Sequence, residues 1–160
     1  MTYIDMKSVA WEEAQHCAAF MAQGHIPREA RCDWPFDLKL DGGVRRCYGY
    51  VTPDATTTDE PGFQRKYAIA VMAGMRETPL LAPDRNGSTN DEDLLAILVE
   101  GRWDGIEEFL RLRGEAIKLC KAKRYRRLAI AVYERLTEVE VLDGDELREI
   151  YEKEMQTCST

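Results

Sequence analysis

From Ser8 onward, apolar residues recur every three or four positions in long stretches separated by short runs of turn-forming residues. Val9, Ala14, Cys17, Ala18 and Met21 trace one face of a helical spiral. A first helix is therefore predicted from a cap at Ser8 to about Gln23, with Gly24 as its stop. Phe36, Leu38 and Leu40 then fall at every second position, Asp41-Gly42-Gly43 offers turn chemistry, and Val44 to Val51 can return as a partner strand. A small hairpin or two-strand sheet is predicted there.

Residues 54–62, "DATTTDEPG", have no periodicity and read as an exposed loop. Helical spacing resumes from Phe63 to about Met75, with Tyr67, Ala70, Val71 and Gly74 turned inward, Gly74 allowing close helix packing, and Pro79 and Pro83 as breakers. Thr89-x-x-Glu92 reads as a capping box opening a helix through Leu94, Leu95, Ile97, Leu98 and Val99, with Asp91 in its first turn. Two further helices are predicted. The first runs from Ile106 to about Lys121 on Ile106, Phe109, Leu110, Ala116, Ile117 and Leu119; the second runs from Tyr125 to about Leu136 on Leu128, Ala129, Val132 and Tyr133. Asp143-x-x-Glu146 is a second capping box, and a last helix should open there, with residues 151–160 as a C-terminal tail. The fold class expected is mainly α with a small β-hairpin or sheet, in a single domain.

Length and composition support that picture: 160 residues fit one domain with a real core, and 44% apolar with 32% charged residues is ordinary for a globular chain. A net charge of −7 and a pI near 5.0 disfavour general nucleic-acid binding, which depends on cationic neutralisation of phosphates. The one basic run, Lys118 to Arg127, reads as a solvated helix face. Five cysteines without a Cys-x-x-Cys pair fit neither a disulfide framework nor a zinc ribbon, so reduced thiols in a cytoplasm are expected. No signal peptide or 18-residue apolar stretch is evident, and neither a serine-hydrolase elbow nor a dinucleotide fingerprint occurs. Cys17 is read as core, and His25, just past the first helix, as a loop or cap histidine.

The chemistry lies in "EEAQH", residues 12–16. Glu12 and His16 are four apart and share a helix face, the spacing of two ligands in a zinc-protease helix, and Glu13 stands where a general base would act on the attacking water. Such a short pattern is also common on ordinary amphipathic helices, where Glu12 and Glu13 would be solvated charges.

In order along the chain, "EEAQH", "YGYVTP" (48–53), "IAVMAGMRE" (69–77), "GSTNDEDLLAI" (87–97) and "RLTEVEVLDGDEL" (135–147) resemble segments of the peptidase domain of FtsH-type ATP-dependent zinc metalloproteases. The likeness spans about residues 8–150, without the family's membrane-spanning part or ATPase module. It implies an FtsH-peptidase-like helical domain acting on or binding unfolded polypeptide or a partner protein. It implies Glu13 as catalytic base, Asp91 as third metal ligand beside Glu12 and His16, and Tyr48, Gly49, Tyr50 and Val51 as a substrate-binding strand. Zinc or another divalent metal is the cofactor implied. Neither nucleic acid nor a membrane is expected as partner, and the oligomeric state stays open.

Two departures fall on the chemistry. Glu12 stands where the family has its first zinc histidine, and Gln15 replaces a glycine. A set of Glu12, His16 and Asp91 carries two negative charges, which weakens the ion's pull on water and shifts preference toward manganese or magnesium. Three outcomes are weighed: a polypeptide-binding domain with weak or lost hydrolysis, an active metallopeptidase, and an oligomerising adaptor.

Overall fold

The computed structural model describes residues 6–33, 36–40, 43–54, 62–81 and 106–158. Their elements are α1 (Met6–Ala22), β1 (Glu29–Arg31), β2 (Phe36–Leu40), β3 (Gly43–Cys47), β4 (Tyr50–Thr52), α2 (Phe63–Leu81), α3 (Ile106–Lys121), α4 (Lys123–Val139), β5 (Val141–Asp143) and α5 (Gly144–Cys158). The described chain is mainly helical, with a three-strand antiparallel sheet and a two-strand hairpin. The helix expected through Leu94 to Val99 lies outside the described residues.

α1 is the axis of the core. It packs chiefly on α4 and α2, and every residue from Val9 to Ala22 except Trp11 is buried. Five alanines, Ala10, Ala14, Ala18, Ala19 and Ala22, let neighbours approach it from several sides, so the expected single stripe is replaced by burial all round. The helix begins at Met6, which puts Ser8 inside its first turn instead of at the cap. Its C-terminus closes as the glycine predicts. Gly24 takes φ +86, its N–H reaches the Met21 carbonyl at 3.0 Å, and the His25 N–H reaches that of Phe20 at 3.0 Å. This pair of bonds satisfies two carbonyls that the helix leaves open.

The strand region departs further from expectation. β2 and β3 pair as the alternation requires, from Phe36↔Cys47 to Leu40↔Gly43. Val44 to Val51 is not one strand, however. The chain breaks at Tyr48 and Gly49, and β4 pairs instead with β1, Ala30 opposite Val51. β1 also pairs with β5, giving the order β4-β1-β5. Glu-Ala-Arg and Val-Leu-Asp are too short and, in β1, too charged to announce strands; long-range pairing around the buried Ala30 creates them.

α2 continues past Pro79 to Leu81, where a break was expected, and nothing in the described residues explains how the proline is accommodated. It lies between α1 and α3. Ala68, Ile69, Val71 and Met72 form a second core cluster with Leu112 and Ala116 of α3. On α3 the inward face is Leu112, Ala116 and Cys120, whereas Leu110, expected inside, is exposed. α4 buries Tyr125, Leu128, Ala129, Val132 and Leu136 and ends at Glu140 in the left-handed region, φ 64.

The last helix opens as its capping box demands. The Asp143 carboxylate accepts the N–H groups of Asp145 and Glu146 at 3.0 and 2.9 Å, and Glu146 accepts that of Asp143 at 3.2 Å. Residues 151–158, expected as a tail, are the second half of α5, with Tyr151 and Met155 packed on the core. The basic run is more than a solvated face. Arg124 donates to the Ala22 carbonyl at the end of α1, Arg126 to the Cys120 carbonyl at the end of α3 (3.3 Å), and Arg127 pairs with Glu154 at 3.1 Å. Cations at helix C-termini answer the partial negative charge there.

Candidate functional site

The middle turns of α1 carry four polar side chains in the core. Glu12 is 6% exposed, Glu13 8%, Gln15 1% and His16 6%. The alternative of solvated charges on an amphipathic helix does not hold. Removing two carboxyl groups and an imidazole from water costs several kcal/mol per ionised group unless partners compensate, on the order of the stability of a whole domain. Buried polar clusters occur at functional sites and also in hydrogen-bonded structural networks.

Two glycines set the walls. On one side the link between β3 and β4 crosses α1 at Gly49. A Cβ there would stand 2.6 Å from Glu13 Cγ, 2.9 Å from Val9 Cγ1 and 2.9 Å from the Arg31 carbonyl oxygen. Only glycine lets the backbone pass so close to the glutamate. On the other side, α2 meets α1 at His16, whose ring lies where a Cβ on Gly74 would be. The close packing expected of Gly74 is thus realised against the imidazole.

His16 Nδ1 is 3.0 Å from the Ala70 carbonyl oxygen. A carbonyl can only accept, so Nδ1 donates, and in the neutral ring the lone pair is on Nε2. A metal-ligating histidine commonly has this arrangement, one nitrogen held by a carbonyl and the other presented to the ion. Glu12, one helical turn before His16, shares its face.

Following Gly49, β4 is one of the two outer strands of the three-strand sheet among the described residues. It is fastened to β1 through Tyr50, which the resemblance assigns to the substrate strand, together with Glu29, Arg31 and Asp33, which the sequence did not single out. The Tyr50 hydroxyl donates to Glu29 at 2.9 Å, Arg31 grips Asp33 with two nitrogens, and the Arg31 guanidinium lies 5.6 Å from the Tyr50 ring centre. The Arg31 hydrogen bond holds the Asp33 carboxyl below its usual range and raises the guanidinium in turn. Tyr48 and Val51 are half-buried against the core.

The buried thiols among the described residues, Cys17, Cys32 and Cys120, belong to the scaffold. Burial, and secondarily the Glu13 charge, drives the Cys17 thiol far up, and its Sγ rests 3.6 Å from Met21 Sδ. Burial first, then nearby carboxylates, pushes Cys32 up to about 11. His25 lies 3.0 Å from Lys66 Nζ and edge-on to Phe63, in the cap region expected for it.

Structure thus gathers Glu12, Glu13 and His16 of α1 with Gly49 and the edge strand, and adds Gly74 and the Ala70 carbonyl of α2. Asp91 lies outside the described residues. Among the described residues no three His, Cys, Asp or Glu side chains converge as a metal-ligand set. Glu12 and His16 keep the four-residue spacing of two ligands on one helix, and a divalent ion there would need a further donor to complete its set. No described helix is long and apolar enough to cross a membrane. Compared with known proteins, the chain matches no family model, and no curated protein matches it significantly.

Proposed function

We propose that this protein is a metallopeptidase-type domain that takes an extended polypeptide along β4 and hydrolyses it slowly, with Glu12 in the position of the first zinc histidine. The observation that supports this reading is Glu13, a buried glutamate whose Cγ packs against Gly49 immediately before β4, an outer strand of the sheet.

An edge strand offers backbone donors and acceptors to a polypeptide of any sequence, holding it by main-chain hydrogen bonds. A peptide paired along β4 would run beside Gly49, whose main chain rests on Glu13. Glu13 would take a proton from the attacking water and pass it to the leaving amine, a role favoured by its fixed position in a water-poor site. Glu12 and the His16 Nε2 would hold a divalent ion together with Asp91, and such an ion supplies Lewis-acid polarisation of the carbonyl and a more acidic water. The extra carboxylate among the donors would weaken that polarisation, and slow turnover would follow.

Incubation with a reduced, unfolded protein tests the reading by mass spectrometry of the fragments. Slow cleavage that stops with a chelator and in Glu13→Gln is expected. Cleavage undiminished in Glu13→Gln would overturn the role given to Glu13, and binding of the unfolded chain with no cleavage would reduce the function to that of a polypeptide-binding adaptor.

A further inference from the structure

We infer that α2 is the positioning element of the site: the Ala70 carbonyl holds the His16 imidazole as its Nδ1–H tautomer, and Gly74 is the positioning residue whose missing side chain leaves the space the ring occupies. The inference rests on the reading of His16 as a ligand but is tested independently of it.

Two contacts one helical turn apart define the ring. The Ala70 carbonyl, 3.0 Å from Nδ1, fixes which nitrogen carries hydrogen. Gly74 fixes the ring plane: a Cβ at that position would fall 2.2 Å from Cε1, 2.3 Å from Nδ1 and 2.5 Å from Nε2. All three atoms belong to one rigid ring, so no small rotation relieves the overlap. A side chain at 74 would have to expel the imidazole and with it the bond to Ala70. The ring cannot escape by moving the helices apart at low cost, because α2 is held from behind by the cluster joining Ile69, Val71 and Met72 to Leu112 and Ala116. Gly74 is interior to a helix, where glycine ordinarily gives up stability relative to alanine. Its presence here is explained by the imidazole.

The test has a spectroscopic and a thermodynamic arm. The chain has two histidines, so a long-range 1H–15N spectrum of metal-free protein at pH 8.5, assigned with His25→Asn, reads the His16 tautomer directly. Hydrogen on Nδ1 is expected in the wild type, and mixed tautomers in Gly74→Ala. Hydrogen on Nε2 in the wild type, or an unchanged tautomer in Gly74→Ala, would overturn the inference. In the second arm, Gly74→Ala is expected to lower Tm with His16 present and to leave Tm equal or raised in His16→Ala, since removal of the ring frees the space. Should Gly74→Ala alone fail to fold, recovery of folding in the double variant supports the inference, and an equal loss in both backgrounds overturns it. An Nδ1–H ring in a protein that takes up no zinc leaves the inference standing and removes only the metallopeptidase reading; zinc taken up by a ring protonated at Nε2 does the reverse.

Discussion

Gly49 leaves no room for a side chain above Glu13: the nearest atom a Cβ would meet is Glu13 Cγ, at 2.6 Å. The main chain entering β4 is therefore packed closely against the aliphatic part of the Glu13 side chain. The Arg31 carbonyl, 2.9 Å from the same point, belongs to the neighbouring strand, so a larger residue at 49 would have to displace backbone as well as side chain. Gly49→Ala is expected to destabilise the fold by about 1–3 kcal/mol, as overpacking does, and to abolish capture of unfolded polypeptide. Denaturant titration and fluorescence anisotropy with a labelled unfolded chain measure the two effects.

Glu13→Gln keeps size and shape while removing the proton acceptor. Hydrolysis is expected to fall by about 100-fold or more, and binding of the polypeptide to persist. Single-turnover cleavage alongside anisotropy separates the two; parallel loss of both would point to a packing role for Glu13.

Glu12→His would replace the substituted donor with an imidazole. Zinc affinity is expected to rise by roughly tenfold or more and cleavage to quicken with it. Competition with a chromogenic chelator gives the affinity, and an unchanged value would remove Glu12 from the ligand set.

Much of the scaffold was legible because its elements carry strong local signals. Gly24 stops α1, the Asp143–Glu146 box opens α5, and the spacing of Leu128, Ala129 and Val132 marks α4. β1 and β5 were not legible: each is three residues long, and each exists only because the other strands are there to pair with it. At the site, the spacing of Glu12, Glu13 and His16 could be read, but their burial could not, since polar residues on a helix ordinarily face water. The alanine content of α1 was the available signal that this helix is surrounded. The Ala70 carbonyl is a backbone group and leaves no trace in the sequence.

The Arg31–Asp33 pair gives the pH dependence. Hydrogen bonding to Arg31 depresses the Asp33 carboxyl from its ordinary value of 3.8 in the folded protein. A depressed carboxyl contributes stability that is present above the unfolded value and is lost as pH falls through the folded one. Asp33→Asn is expected to cost about 0.5–1 kcal/mol at pH 7, a small effect because the pair is partly exposed, and the difference from wild type should shrink as pH falls below about 4. Urea unfolding at several pH values measures it.

Calorimetric titration of zinc or manganese into metal-free wild type and His16→Ala tests the metal-centred reading most directly. One site in the wild type that disappears in His16→Ala is the expected result. Equal heats in the two proteins, or none in either, would contradict it.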